Sequence, residues 1–294
     1  MSDYLTGSMK KHIKFILFLF VDEYSYTNGI KSFSKFLKLS VYSLRYKLAS
    51  KGLFLTKSEK LFAKLKNKYA GQRCFIIGNG PSLNLLDLTK LKDEKTFGVN
   101  AIYLNYDKMK FHPTFYVVED YLVAEDRANE INTYKGPDYK FWGTYLDYVL
   151  KKDPKTIEMN VLMNYSEPFE PFFSENVLRN VGVGGSVTYV CLQLAYYLGF
   201  TEVYMIGFDH NYKVKTDEVD NNNVILSKED DINHFAPGYF GKGYRWHDPK
   251  VERMTQGFQK AKDVFEFNNR KIFNATAGGH LETFERVNYD DLFN

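Results

Sequence analysis

The run Arg73-Cys-Phe-Ile-Ile-Gly-Asn-Gly-Pro-Ser-Leu83 decides how this chain is read. Cys74 to Ile77 make a short apolar stretch suited to a strand buried on both faces, and Gly78-Asn79-Gly80 lets the backbone turn sharply at its carboxyl end. Pro81 has no amide hydrogen to leave unpaired, which predicts a helix beginning near Ser82 with its free N–H groups aimed back at the loop. That geometry attracts phosphate. The match to the dinucleotide fingerprint is partial, because Leu83 stands where the third glycine belongs and the next strand ends near Asn100 rather than at an acid. A tight strand-to-helix turn with no ligand stays open at this point.

Downstream, Thr96 to Ile102 reads as a second strand presenting Asn100 near its carboxyl end, and His112 to Asp120 as a third closing on Glu119 and Asp120. Ligands of open α/β sheets sit at such strand ends, so Asn100, Glu119 and Asp120 are expected around the crevice that holds Asn79. A helix is predicted from about Tyr121 to Asn132, followed by an extended Lys140-Phe-Trp142. Residues 121 to 180 as a whole read either as an inserted lid or as a long connection.

Val181-Gly-Val-Gly-Gly-Ser-Val-Thr188 opens a helical run, Tyr189 to Leu198, closed by Gly199 as a C-cap. Glu202 to Ile206 is another buried strand and ends in Gly207-Phe-Asp-His-Asn211. A second glycine-rich loop thus enters a helix, and a second strand end is loaded with polar groups. Residues 213 to 233 are polar and read as a surface loop or lid. An amphipathic helix spans 250 to 269, with Val251, Met254, Phe258, Ala261, Val264 and Phe265 on one stripe, and a last strand follows from Lys271 to Ala275. Together these elements predict an α/β fold: a Rossmann-like, mostly parallel sheet with helices on both faces, preceded by a helical extension over residues 1 to 70.

His210, His234 and His247 lie within about forty residues, together with Asp209 and Asp248. Their spacings of 24 and 13 are not those of a zinc-binding helix. A histidine serving as base or anion contact competes here with ordinary loop histidines.

The 294 residues carry 44% hydrophobic and 17% aromatic residues, enough for a large core, and a net charge of +3 is too small to point to nucleic acid. Two cysteines, Cys74 and Cys191, lie in apolar runs, which suggests a reducing, cytoplasmic setting with neither disulfide nor zinc site. Residues 9 to 68 alternate Lys and Arg with Phe, Leu, Ile and Tyr, and the apolar stretch Phe15 to Val21 is far short of the roughly 20 residues of a membrane span. The extension is read as basic amphipathic helices that pack on the main domain or a second subunit, making a homo-oligomer, or touch an anionic inner-membrane surface peripherally.

Phe75 to Leu83, Gly98-Val-Asn-Ala-Ile-Tyr103, Gly185-Ser186 through Gly207-Phe-Asp209, Asn233-His-Phe, Trp246-His-Asp-Pro249 and Asn274-Ala-Thr276 carry a resemblance over roughly residues 70 to 293. They resemble the MptE-like family, named after an archaeal 6-hydroxymethylpterin diphosphokinase and including bacterial proteins of surface-glycan loci and flagellin glycosylation. The motif order is also similar to that of the bacterial sialyltransferases that use CMP-sialic acid, whose fold is a GT-A-like variant.

That resemblance implies a nucleotide pocket lined by Gly78, Asn79, Gly80 and Ser82, with Asn100 on the ribose or base and Gly185 and Ser186 at the donor sugar. It further implies phosphate contacts from Tyr239 and Tyr244, and His247 as the catalytic base. Asp209 is the expected orienting partner of His247; Asp120, His210 and His234 complete the candidate donor-binding set. One difference is that His210-Asn211 intervene before Tyr212, where the sialyltransferases place an aromatic and a tyrosine. The implied activity is a metal-independent transfer from a nucleotide sugar, a CMP-sugar first, to a glycan or lipid-linked acceptor, with no cofactor beyond the donor. Consistent with this, the chain contains no Asp-x-Asp. The alternatives are an ATP-dependent diphosphokinase using Mg²⁺ held by Glu119, Asp120 and Asp209, and a non-catalytic nucleotide- or partner-binding protein.

Overall fold

A computed structural model describes residues 33–162, 171–214, 219–220 and 223–294. The apolar runs assemble one eight-stranded sheet in which every neighbouring pair is parallel. Its strands are β1 (Arg73–Ile77), β2 (Thr96–Val99), β3 (Phe115–Val118), β4 (Tyr139–Gly143), β5 (Thr156–Met159), β8 (Glu202–Ile206), β11 (Lys271–Asn274) and β12 (Glu285–Arg286). Two short ribbons, β6 (Val161–Leu162) with β7 (Val181–Gly182) and β9 (Val224–Leu226) with β10 (Arg245–His247), lie outside it.

The order across the sheet is β12-β11-β8-β1-β2-β3-β4-β5. The chain therefore runs outward from β1 in one direction and then returns to start again at β8 on β1's other side. The β1/β8 boundary is the switch point at which open parallel sheets leave a crevice beyond their carboxyl ends.

Alternation along β1 shows that both faces are covered. Cys74 and Ile76 join a core with the helices α5 (Val187–Leu198) and α6 (Val251–Phe267), whereas Phe75 and Ile77 join a second core on the opposite face. That face is closed by 3-10 turns and by the short helices α3 (Tyr121–Asp126) and α4 (Ala128–Thr133). Before the sheet come α1 (Phe33–Ala49) and α2 (Lys57–Lys64). Phe62 of α2 packs edge-on against Phe141 and Tyr197, so this part of the expected extension shares the main core. Residues 1–32, to which much of that extension was assigned, lie outside the described residues.

Several expectations change in form. The helix foreseen at Ser82 is a single 3-10 stretch, Pro81–Leu85. The helix over 121 to 132 breaks at Arg127, whose buried guanidinium donates at 2.6 Å to the carbonyls of Gly238 and Tyr239. Residues 139–159 are not a lid: they supply β4 and β5, two strands of the central sheet. The polar segment 213 to 233 contains β9, which pairs antiparallel with β10; positions 215–218 and 221–222 lie outside the described residues. Cys74 and Cys191 are buried thiols, and no described helix is long and apolar enough to cross a membrane.

Candidate active site

Gly78 and Gly207 bring the two switch-point strands together. Gly78 N–H donates to Ile206 O at 2.8 Å and Gly80 N–H to Gly207 O at 2.9 Å. A Cβ on Gly78 would stand 2.5 Å from Gly207 O, and one on Gly80 would meet the Asp209 carboxylate. Glycine is required here for close backbone approach.

Beyond this junction lies a cavity of about 1280 Å³, large enough for a nucleotide with an attached sugar. Its walls come from five regions: the ends of β1 to β3, the Gly185–Thr188 entry to α5, the loop after β8, the segment 233–248, and the start of α6. Gly78, Asn79, Gly80, Asn100, Asp120, Gly185, Ser186, Asp209, His210, His234, Tyr239 and His247 all line it. Ser82 and Tyr244 do not. Ser82 is buried behind the loop, and Tyr244 stacks against the Arg127 guanidinium at 4.1 Å, drawn away by a cation–π contact.

Asp209 has a different partner from the one expected. Its Oδ2 accepts from Ser82 Oγ at 2.7 Å and from Ser82 N–H at 3.3 Å, so a carboxylate of the protein itself occupies the turn that was read as a phosphate site. His247 is held by Asp120 instead, with Nδ1 3.0 Å from Asp120 Oδ2. The other oxygen of Asp120 caps α3 by accepting from Leu122 N–H at 2.8 Å. One carboxylate therefore ties the imidazole to a fixed helix end. Burial pulls the His247 pKa down, but the hydrogen bond and charge of Asp120, with Glu119 and Asp220 nearby, outweigh it, and the net shift is upward from 6.5. With Nδ1 as donor to the carboxylate, Nε2 is the basic nitrogen.

Asn79 and Asn100 face the cavity from adjacent strand ends. Asn79 Nδ2 donates to Tyr239 Oη at 2.8 Å, and the side-chain carbonyl oxygens of both asparagines are buried without a hydrogen-bond partner. Asn100 adopts φ +51°, a left-handed conformation that asparagine tolerates better than most residues, and its carbonyl accepts from Tyr116 Oη.

Tyr239 is fully buried; its ring stacks on His234 at 4.2 Å, and burial pushes its pKa up. It is a wall residue whose hydroxyl is already engaged by Asn79. His234 Nδ1 lies 2.7 Å from Asp231 Oδ2, and Phe235 N–H donates to Asn79 O at 2.8 Å, which seals this segment onto the first loop. His210, at φ +52°, places Nε2 3.0 Å from Thr255 Oγ1; burial and the nearby His280 lower its pKa.

Ser186 caps α5, its hydroxyl accepting from Thr188 N–H at 3.2 Å, and Gly185 at φ +82° turns the chain into that cap. Arg253, buried in the first turn of α6, packs against Gly185. A basic residue at a helix start opposes the dipole, and that signal in Lys250-Val-Glu-Arg253 went unused in the sequence. Tyr121 was likewise missed, and so was the role of Asp120 toward His247, because residues 127 positions apart in sequence pair only once the fold is known.

Fold and site define a doubly wound parallel α/β protein with a ligand cavity at its topological switch point. The chain belongs to the family described as 6-hydroxymethylpterin diphosphokinase MptE-like, which matches residues 53–215. No curated protein matches by sequence. Among solved structures, the chain is similar to the MAf glycosyltransferase from Magnetospirillum magneticum AMB-1 at 12% identity and a TM-score of 0.40. It covers 86% of this chain but only 41% of that one, less than half its length. It is also similar to the sialyltransferase CstII from Campylobacter jejuni, solved with the substrate analogue CMP-3FNeuAc, at 15% identity and a TM-score of 0.40, over 74% of this chain and 86% of that one.

Proposed function

We propose that this protein is a glycosyltransferase of bacterial surface-glycan assembly that uses a nucleotide sugar, a CMP-sugar first, with His247 as general base and Asp120 as its positioning residue. The observation that carries this reading is the Asp120–His247 pair in the wall of the switch-point cavity, together with the two unpartnered asparagine oxygens, which suit hydroxyl or amino donors of a nucleotide. In the reaction, His247 Nε2 takes the proton of the acceptor hydroxyl. The acceptor oxygen bonds to the anomeric carbon, and the bond from that carbon to the nucleotide phosphate breaks, its electron pair leaving with the nucleotide. The N-terminal end of α5, twelve residues long and capped by Ser186, supplies favourable dipole for the departing phosphate.

The family description, a diphosphokinase, favours a second reading, for which the expected reaction is diphosphate transfer from ATP with Mg²⁺. The carboxylates expected to hold that ion do not fit it as a set: Asp209 is committed to Ser82 and Asp120 to His247 and Leu122. Among the described residues no three His, Cys, Asp or Glu side chains converge as a metal site.

Thermal shifts with CMP, UDP, GDP and ATP, each with and without Mg²⁺, separate the readings. Stabilisation by CMP independent of metal is expected; stabilisation by ATP only with Mg²⁺ would transfer the case to the kinase. His247→Ala is expected to remove turnover while leaving the nucleotide shift nearly intact, and loss of both would make His247 structural.

A further inference from the structure

From Ser40 onward, helix α1 leaves branched apolar side chains on its outer face. The positions it turns toward the protein are Ser40, Ser43, Tyr46 and Ala49, all buried, whereas Val41 is 58% and Leu44 36% exposed. On a helical projection Val41, Leu44 and Leu48 share one stripe, opposite the buried one. The link to α2 continues the pattern, with Leu53 and Leu55 exposed at 59% and 67%. Then α2 points Phe62 and Glu59 inward and carries Lys57, Lys60 and Lys64, spaced i, i+3, i+7, on its exposed side. Arg45 Nε meets Glu59 Oε1 at 2.7 Å, clamping the two helices together.

The charges of this region are one-sided. Lys51, Lys57, Lys60, Lys64, Lys66 and Lys68 are exposed, and the single acid between positions 40 and 70, Glu59, is buried. Exposed leucines beside unpaired-sign lysines select the partner. A second copy joined about a two-fold axis would set lysines against lysines. The chain's own residues 9 to 21 could meet the leucines with the apolar run Phe15 to Val21, but their Lys10, Lys11 and Lys14 would face lysines of the same sign, so they match only half of the patch. A surface that is apolar just beneath a layer of negative charge satisfies both halves of the patch: the leucines enter the hydrocarbon boundary and the lysine stems reach the headgroups.

We infer that residues 41–68 form a docking surface for an anionic lipid bilayer, held by Val41, Leu44, Leu53 and Leu55 and by the exposed lysines. This surface is separate from the cavity, so its test does not depend on the proposed reaction.

The full chain is sedimented with vesicles of phosphatidylcholine and phosphatidylserine, and with vesicles of phosphatidylcholine alone. Binding to the mixed vesicles that weakens as salt is raised, with little binding to the neutral ones, is expected. Val41→Asp with Leu44→Asp, and separately Lys57→Glu with Lys60→Glu and Lys64→Glu, should each reduce partition at least about tenfold. All five side chains are exposed, so thermal melting should be unchanged. The inference is overturned if the wild type ignores anionic vesicles, if both variants bind as well as it does, or if the substitutions instead abolish a concentration-dependent self-association.

Discussion

Two glycine-rich loops enter the same cavity, and in sequence they look alike: Gly78-Asn-Gly-Pro-Ser82 after β1 and Gly184-Gly-Ser186 before α5. Their physics differs. The first leads into five residues of 3-10 helix, and the N–H and hydroxyl of its serine are already spent on the Asp209 carboxylate. Its glycines are small because two parallel strand ends run on in close contact, with Gly207 O in the space a side chain would take. The second leads into a twelve-residue helix whose Ser186 cap lines the cavity. A glycine pair before a serine thus reports a crowded backbone in one place and an available helix end in the other, and only the length of the helix beyond it tells them apart.

The largest expected effect follows from the crowding. Gly78→Ala places a methyl group 2.5 Å from a backbone oxygen that has no alternative rotamer, which forces the ends of β1 and β8 apart. A loss of about 3 kcal/mol or more is expected in denaturant unfolding. A near-neutral result would mean that the two strand ends are not in contact.

Next in size is Asp209→Asn, which removes the charge that holds the buried Ser82. A loss of about 2 kcal/mol is expected in the same measurement. Its second readout bears on the comparison itself: if the carboxylate fills the first loop, nucleotide affinity should hold or rise once the negative charge is gone. A marked fall in affinity would place Asp209 among the ligand contacts and restore the first loop as a phosphate cradle.

Much of this was legible beforehand because the evidence was local. The buried runs from Cys74 to Ile77 and from Val203 to Ile206, and the helix closed by Gly199, follow from periodicity, apolar runs and capping residues that lie next to one another in the chain. The crevice was legible too, since polar residues immediately after buried strands mark carboxyl ends whatever the strand order.

Side-chain partnerships across long separations were not legible. Asp209 was expected beside His247 because Asp248, its neighbour in sequence, is poorly placed to face it, yet the fold pairs Asp209 with Ser82, 127 residues away, and gives Asp120 to the histidine. Strand β4 was foreseen as the extended Lys140-Phe-Trp142, but its place in the central sheet, and strand β5 altogether, were hidden for another reason. The sequence from 139 to 159 is broken by Gly143 and Pro154, and only the sheet edge it completes shows those runs to be strands.

Ser186→Ala should cost about 1 kcal/mol through loss of the cap. It should also weaken nucleotide binding several-fold by loosening the first turn of α5, whereas Ser82→Ala should destabilise the fold and leave nucleotide affinity unchanged. Titrations of both variants with CMP would sharpen the contrast between the loops, and the opposite ranking would reverse it.

The smallest change in stability, with the clearest signature in pH, is expected for Asp120→Asn. The amide can still cap α3 through Leu122 N–H, so the helix start should persist. What disappears is the charge that holds the His247 pKa above 6.5 against burial. With that charge gone only Glu119 and Asp220 oppose burial, and the imidazole should titrate lower than in the wild type. Because a general base must be neutral to act, activity of the wild type should rise with pH along a limb centred above 6.5. In the variant that limb should move to lower pH while the maximal rate falls about tenfold. The stability effect has a definite sign as well. A raised histidine pKa contributes stability that is fully present below pH 6.5 and fades as pH rises through the folded-state value, so wild type and variant should differ most in acid and converge above neutrality. Following the His247 ring by NMR gives the same answer without substrate. An unmoved titration would break the pairing on which the proposed base depends.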